Sequence, residues 1–536
     1  MSSRLAGPPT PVLYDTTLRD GMQGFGLQLS VEQKVQLARR LDRLGVAYVE
    51  AGWPGANPRD TQVFQRLART PLSRSRLVAF GSTRRPGVSA SEDRSLAATI
   101  SAATPAVALV GKASRWQVEH VLRCSAEENL AMIAESVELA VLQGREVVFD
   151  AEHFFDGYRA DSRYSLEALA AAAGAGAGWL TLCDTNGGCL PGPIAEAVAE
   201  VVARFGPVVG IHCHNDSGLA VAASLAAVEA GAAMVQGTVN GCGERCGNAD
   251  LPVVAANLQL KLGRRVLAPA RMRELTQLSL QFDSLANRPS DPQRPYLGAV
   301  AFLHKGGLHA SGMARHRAAY QHVDPAAVGN RTRTVVSDQS GAQNVAAKLA
   351  ELELPSLDSG RRQRLVSRLK GMEETGWAFE DADASFELLV RRELGEDPAP
   401  FAVLDSLVVA GGGGPAREKG VQASVKVEVR GVVVHTAAEG PGPVAALDSA
   451  LRRALVPHFP ELAQVELVDY RVRVIDGDRG TGATVRVGVD SSDGRRRWTT
   501  VGCSANILEA SCEALIDSYE WAVRHPRVRT PQSSTA

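Results

Sequence analysis

The sequence predicts a closed (β/α)8 barrel, then a helical linker, then a duplicated βββα tail. Three observations carry this α/β reading. Short β-rich runs alternate with helical runs eight times, beginning at Val12. Polar and ionisable residues gather at one end of those runs. From Phe401 onward, one order of strands and helix is written twice.

The eight strand-like runs are Val12–Thr17, Tyr48–Gly52, Leu77–Ser82, Val107–Lys112, Glu146–Glu152, Trp179–Thr185, Val208–His214 and Met234–Asn240. Most are continuously apolar, as strands of a parallel sheet covered on both faces should be. The first intervening helix opens on Ser30 with Gln33 three residues on, a capping box. Its apolar stripe (Val31, Val35, Ala38, Leu41, Leu44) ends at Gly45. The seventh helix follows Asp216–Ser217 and stops at Gly231. Eight such units fill the ~250 residues of a closed barrel. An open doubly wound sheet usually places a glycine fingerprint after its first strand, and none stands here.

Beyond the barrel (1–285), Asn287–Pro295 is turn-rich, and 300–394 reads as mostly helical, clearest in Gln343–Leu352 and Gly360–Met372. This linker is assigned 286–398 and the tail 399–536. In the tail, Phe401–Val409, Ala423–Val429 and Gly431–Thr436 precede a helix at Pro443–Leu455. Val465–Ile475, Ala483–Val489 and Arg496–Gly502 then precede a helix at Ile507–Val523, which implies duplication. Gly411–Gly414 reads as a loop between strands, since no Lys-Ser/Thr pair closes it as a phosphate cradle.

Composition narrows the function classes. The 536 residues are 45% apolar and 22% charged with a net charge of −1, a balance that gives no general attraction for nucleic acid or an anionic membrane. Apolar runs are short and interrupted, so no membrane span is expected. Residues 1–11 lack the apolar core of a signal peptide. The eight cysteines contain no CxxC pair, which points to a reducing cytoplasm.

Barrel enzymes carry their chemistry at the C-terminal ends of the strands. Here those ends hold Arg19-Asp20, Glu152-His153, Asp184-Thr185-Asn186 and His212-Cys213-His214-Asn215-Asp216, with Asn240–Asn248 after the eighth strand. His212 and His214, at i and i+2, point the same way and face Asp20 on the first strand. Two imidazoles and a carboxylate make a metal site, with the Asn248 carbonyl as a weaker fourth ligand. Mixed N and O ligation suits Mg²⁺, Mn²⁺, Co²⁺ or Zn²⁺ alike. The rival Cys242-x-x-x-Cys246 has poor zinc spacing and no third ligand close in sequence.

Asp15-Thr16-Thr17-Leu18-Arg19-Asp20-Gly21-Met22-Gln23, with His212-x-His214-Asn215-Asp216, resembles the signature of the aldolase-like metal barrels. That family includes the 2-isopropylmalate, homocitrate and citramalate synthases and related lyases. Gly52-Trp53-Pro54-Gly55-x-Asn57-Pro58, Phe80–Arg85, Asp150–Tyr158 and Cys183–Gly188 resemble the citramalate synthase branch, and the similarity runs to about Arg524.

The resemblance implies an acyltransferase that joins acetyl-CoA to pyruvate and hydrolyses the thioester to citramalate and CoA, in isoleucine biosynthesis. A divalent ion would polarise the oxo acid, and Arg19 would stabilise the developing alkoxide. Thr185 and Gln23, with Arg19, would bind the substrate. The base would be His309 of His304-Lys305-Gly306-Gly307-Leu308-His309, with Glu152 raising its basicity and Tyr320 nearby. In the related enzymes the linker crosses to a partner protomer, so a homodimer is implied, with the tail as a domain that binds isoleucine. The small-residue helix starts Glu439–Gly442 and Ser504–Asn506 suit a carboxylate. A 2-isopropylmalate synthase or another acetyl-CoA-dependent homologue is the alternative. A lyase running the same chemistry backwards and a silent amino-acid sensor are less consistent with the linker and the full ligand set. Met22 and Phe25, beside Asp20, stand where the family more often has smaller or acidic residues, a departure that would narrow the pocket or change substrate preference.

Overall fold

The structure, a computed structural model, describes residues 10–526 except 338–339, 396–397 and 411–419. The Gly411–Gly414 loop and most of the segment read for a signal peptide lie outside the described residues. The chain divides into two units, residues 1–302 with 323–331, and residues 303–322 with 332–536.

The first unit is a closed barrel of eight parallel strands in sequence order: β1 (Val12–Asp15), β2 (Tyr48–Glu50), β3 (Arg76–Ser82), β4 (Ala106–Lys112), β5 (Glu146–Glu152), β6 (Trp179–Asp184), β7 (Val209–Cys213) and β8 (Met234–Gly237). β1 closes on β8, with Val12 opposite Met234. Strand alternation builds two apolar layers. Leu13, Val49, Ala79, Val107, Phe149, Leu182, Ile211 and Val235 pack outward against the helices. Tyr14, Tyr48, Val78, Phe80, Ala106, Ala108, Val148 and Met234 form a separate cluster that fills the barrel. The first helix, Val31–Leu44, has the full Ser30/Gln33 capping box and ends on Gly45 at φ 97°.

Several strands stop earlier than the sequence suggests. Thr16 and Thr17 leave the ladder after Asp15, and His214 lies one residue past β7, bridged to Asn248. The reason is chemical. Thr16 N–H still donates to the Gly237 carbonyl of β8 at 2.9 Å and His214 N–H to the Asp184 carbonyl of β6 at 3.2 Å. There the chain bends away and side chains take up polar partners, as Thr17 Oγ1 does with Asp15 at 2.9 Å.

In the second unit, β9 (Leu303–His304) pairs in parallel with β10 (Arg333–Thr334). Helices follow at Gly307–Arg315, Ala342–Glu351, Ser359–Glu374 and Asp383–Leu394. The tail holds two antiparallel three-stranded sheets: β11 (Phe401–Ala410), β12 (Val421–Val429) and β13 (Val432–Gly440), then β14 (Glu466–Val474), β15 (Val485–Ser492) and β16 (Arg497–Ser504). Helix Pro443–Leu455 covers the first sheet and Ile507–Arg524 the second. The first strand of each sheet carries a register shift near its start, at Val403/Asp405 and at Leu467/Asp469. A shared irregularity of this kind is what a duplicated unit retains. Helix Asp383–Leu394 was not singled out by periodicity, and it packs on the last helix. Ser385 Oγ donates to Asp517 at 2.7 Å, and Arg392 donates to Asp517 and Glu520, both at 2.8 Å. Among the described residues no helix is long and apolar enough to cross a membrane.

Candidate active site

Period-two alternation sends Val148, Asp150 and Glu152 of β5 into the barrel, one above another, and likewise Gly210 and His212 of β7, with His214 beyond it. Above the apolar plug this axis becomes polar and opens into a cavity of about 430 Å³ at the C-terminal rim. Asp20, His212 and His214 meet there, their nearest ligand atoms all within 4.8 Å of one another. His212 Nε2 lies 3.6 Å and His214 Nε2 4.0 Å from Asp20 Oδ2. Asn248 Nδ2 donates to Asp20 Oδ1 at 3.0 Å, so Asn248 reaches the cluster through its side chain.

These residues fit a divalent ion. A buried acceptor at the cluster, Asn248 Oδ1, has no protein partner, which buried polar atoms seldom lack. Asn248 is held there by a tight loop. Gly247 adopts φ +85°, and a Cβ at that position would stand 1.9 Å from the Gly241 carbonyl oxygen. Cys242 is buried where a Cβ on Gly21 would meet its Sγ at 2.7 Å, and Cys246 is exposed. Burial pushes the Cys242 thiol far up, so it packs rather than ligates.

The electrostatics suit the same assignment. Burial alone would raise the Asp20 carboxyl, but Arg19, His212, His214 and the Asn248 hydrogen bond hold it well below the usual range. Burial lowers His212, and burial followed by the neighbouring His212 pushes His214 down to about 4. At neutral pH the cluster is one carboxylate and two neutral imidazoles, the state that binds a cation. A test follows on the metal-free protein. The unfolded imidazole titrates near 6.5, so between about 6.5 and 4 the unfolded chain binds the extra proton. Stability from His214 is therefore full above that window and is lost as pH falls through it, by about 3 kcal/mol at most. Denaturant unfolding in chelator at pH values spanning the window should show this slope, and His214→Asn should flatten it. An unchanged slope would remove His214 as its source.

Arg19 donates from Nε to Glu50 at 2.5 Å and from Nη1 to Asp20 at 2.9 Å, and its guanidinium lies 3.8 Å from the Phe80 ring centroid. Burial opposes its charge, but Glu50, Asp20 and Asp150 more than restore it. Glu50, fully buried, also accepts from the Tyr14 hydroxyl and from Thr16 Oγ1 at 2.7 Å. The cation is thus fixed in direction before any substrate arrives. Thr185 Oγ1 accepts from the His153 amide at 2.8 Å, which leaves its own proton to donate into the cavity. Gln23 and Glu152 also line the cavity, and Glu152 is ion-paired with Lys112. Met22 and Phe25 do not narrow it, contrary to expectation. Phe25 points fully into solvent and Met22 packs against the barrel core. The 3-10 turn Gly21–Gln23 directs Gln23 to the rim instead.

His309 and Tyr320 belong to the second unit, where their rings stack at 4.0 Å and both are exposed. His304, buried, lies 6.2 Å from His309 by ring centroid. Sequence reasoning missed Glu50, Lys112, Asp150 and Gln236. A signal existed: each is a polar residue at an inward position of an otherwise apolar strand, where burial is costly unless something uses it.

The fold and the Asp–His–His cluster define a (β/α)8 barrel with a candidate metal site at the C-terminal rim. Residues 10–280 match the HMGL-like family, 297–376 the homocitrate synthase post-HMGL domain-like family, and 380–523 the LeuA allosteric (dimerisation) domain. An (R)-citramalate synthase of Synechocystis is 48% identical, covering 96% of each chain. Those of Aquifex aeolicus and Sulfolobus acidocaldarius are 45% and 40% identical, covering 94% and 95% of this chain and 96% of their own. The chain belongs to the HMGL-like family and, within it, to the group of (R)-citramalate synthases.

Proposed function

We propose that this protein condenses acetyl-CoA with pyruvate and water to give (R)-citramalate and CoA. The observation that carries the reading is the cluster of Asp20, His212 and His214 beneath a cavity walled by Arg19 and Thr185, in a chain 48% identical to an (R)-citramalate synthase over 96% of its length. Asp20, His212, His214 and Asn248 would hold a divalent ion, which would supply Lewis acidity toward the 2-oxo acid. Thr185 donates its hydroxyl proton to the pyruvate carboxylate, and Gln23 orients the substrate from the rim. A base removes a proton from the acetyl methyl, and the resulting carbon bonds to C2 of pyruvate. Arg19, already aimed by Glu50, meets the negative charge that develops on the C2 oxygen. Water then cleaves the thioester, and the CoA thiol leaves. His309 is the proposed base, with Glu152 supporting it and Tyr320 holding the ring by stacking.

A panel of pyruvate, 2-oxobutyrate and 2-oxoisovalerate with acetyl-CoA, read by thiol release and product NMR, tests the assignment. Pyruvate should lead. Faster turnover of 2-oxoisovalerate would instead favour the 2-isopropylmalate reading, which a 34% identical probable 2-isopropylmalate synthase of Methanopyrus kandleri represents.

The working unit is proposed to be a homodimer made through the tail. Edge strands β11 and β14 expose Leu404, Leu407, Val409, Leu467, Val468, Val472 and Val474, a large apolar area for a strand edge in water. Isoleucine is the proposed effector of this domain, with leucine second. Isoleucine should bind the full-length protein by calorimetry and inhibit thiol release. Binding of neither amino acid, with uninhibited turnover, would leave the tail as a dimerisation module. Truncation after Leu394 is a poor test, because it would strip the last helix from Ser385, Glu387 and Arg392.

A further inference from the structure

The geometry points to a buried relay, Asp150–Gln236–His212, that presets which nitrogen of His212 faces the ion. The inference rests on the metal-site reading above and concerns residues that do not touch the metal. His212 Nδ1 lies 2.9 Å from Gln236 Oε1. Gln236 Nε2 lies 2.9 Å from Asp150 Oδ1 and 3.2 Å from Thr181 Oγ1. Gln236 and Thr181 are wholly buried, and Asp150 is nearly so. All four are inward residues of adjacent strands β5, β6, β7 and β8, so they form one polar layer across half the barrel.

The donor and acceptor roles follow by elimination. Burial, with Glu50 beside it, pushes the Asp150 carboxyl up to about 7. Above that pH, where the test is made, the carboxylate offers Gln236 only acceptors, so the amide must turn its NH₂ toward Asp150. The opposite orientation would press Oε1 against a carboxylate oxygen at 2.9 Å with no hydrogen between them. Gln236 Oε1 therefore faces His212, and the nitrogen it meets must donate. His212 Nδ1 carries the proton, leaving the Nε2 lone pair toward Asp20, 3.6 Å away. Neutral imidazole otherwise favours neither nitrogen strongly enough to guarantee a ligand, and a histidine ligand is usually aligned by a partner on its other nitrogen. His214 offers the contrast: its Nδ1 has no partner in the same site. One histidine is preset and the other adapts. Asp150 and Gln236 are thus positioning residues.

The test uses full-length protein stripped with chelator. In histidine ¹⁵N NMR of the metal-free protein, the His212 signal, assigned by its loss in His212→Ala, should report a proton on Nδ1. Gln236→Leu removes the acceptor, and Asp150→Asn removes the demand that orients the amide. Both should give mixed tautomers, and Zn²⁺ affinity by chelator competition should fall by about 10–100-fold, the usual effect of losing an outer-shell partner. If Gln236→Leu does not fold by circular dichroism, Asp150→Asn carries the test. A proton on Nε2 in the unchanged protein, or a folded variant binding Zn²⁺ within twofold of it, overturns the relay. Failure of the unchanged protein to bind Zn²⁺ would defeat the metal reading itself, while the metal-free tautomer would still decide the relay.

Discussion

Asp20→Ala and His212→Ala are expected to lose CoA release from acetyl-CoA and pyruvate by on the order of 10³-fold or more, which is roughly 4 kcal/mol of transition-state stabilisation. Both should remain folded. Their side chains end in the rim cavity rather than in either apolar layer of the barrel, so truncation leaves no unfilled core. Asp20→Ala removes one of three converging ligand groups and one of the two carboxylates that Arg19 bridges, while Glu50 still holds the guanidinium. His212→Ala removes a neutral nitrogen donor that burial keeps unprotonated. Chelation by EDTA should reproduce either loss in the unchanged protein, and a divalent ion should reverse it there but not in the variants. Turnover assays paired with circular dichroism check this. Full activity in a folded variant of either residue would refute the metal assignment.

Glu152→Gln and His309→Ala should lower kcat by roughly 10²–10⁴-fold with little change in the KM for pyruvate, the pattern of lost proton transfer rather than lost binding. Each variant has its own complication. Glu152 is ion-paired with Lys112, so Glu152→Gln also frees a cation at the cavity wall. Lys112→Met measures that contribution alone. His309 stacks on Tyr320, and Tyr320→Phe keeps the stack while removing the hydroxyl. A raised KM with intact kcat would reassign both residues to substrate binding. If the linker delivers the histidine to a partner protomer, mixing Asp20→Ala with His309→Ala subunits should recover part of the activity. Verified heterodimers without recovery would place His309 in the service of its own barrel.

Much of the architecture was legible because it is written in short-range terms. The Ser30/Gln33 box and the Gly45 stop are local chemistry, and the structure realises both. So too with helix Pro443–Leu455, whose limits match the periodicity, and with the repeated order of three strands and a helix. His212 and His214 were legible for a similar reason, because a spacing of two on a strand fixes their shared direction. Asp20 was legible only through the barrel, since closure is what brings the first strand round to the eighth.

Other features carried a local signal of burial but none of the partner that justifies it. Glu50, Lys112, Asp150 and Gln236 look like isolated polar residues within apolar strands, and their partners lie tens of residues away on other strands. The same holds for the direction of Phe25, which sequence proximity to Asp20 suggested would enter the pocket and which the turn at Gly21–Gln23 leaves in solvent. By itself, the sequence determined the barrel, the duplicated tail and the gathering of Asp20, His212 and His214 at one rim, because periodicity and strand-end position are properties of neighbouring residues. Only the tertiary structure decided which carboxylate steadies Arg19, which amide orients His212 and which side chains line the cavity. Those depend on distances across a closed sheet, and sequence separation carries no information about them.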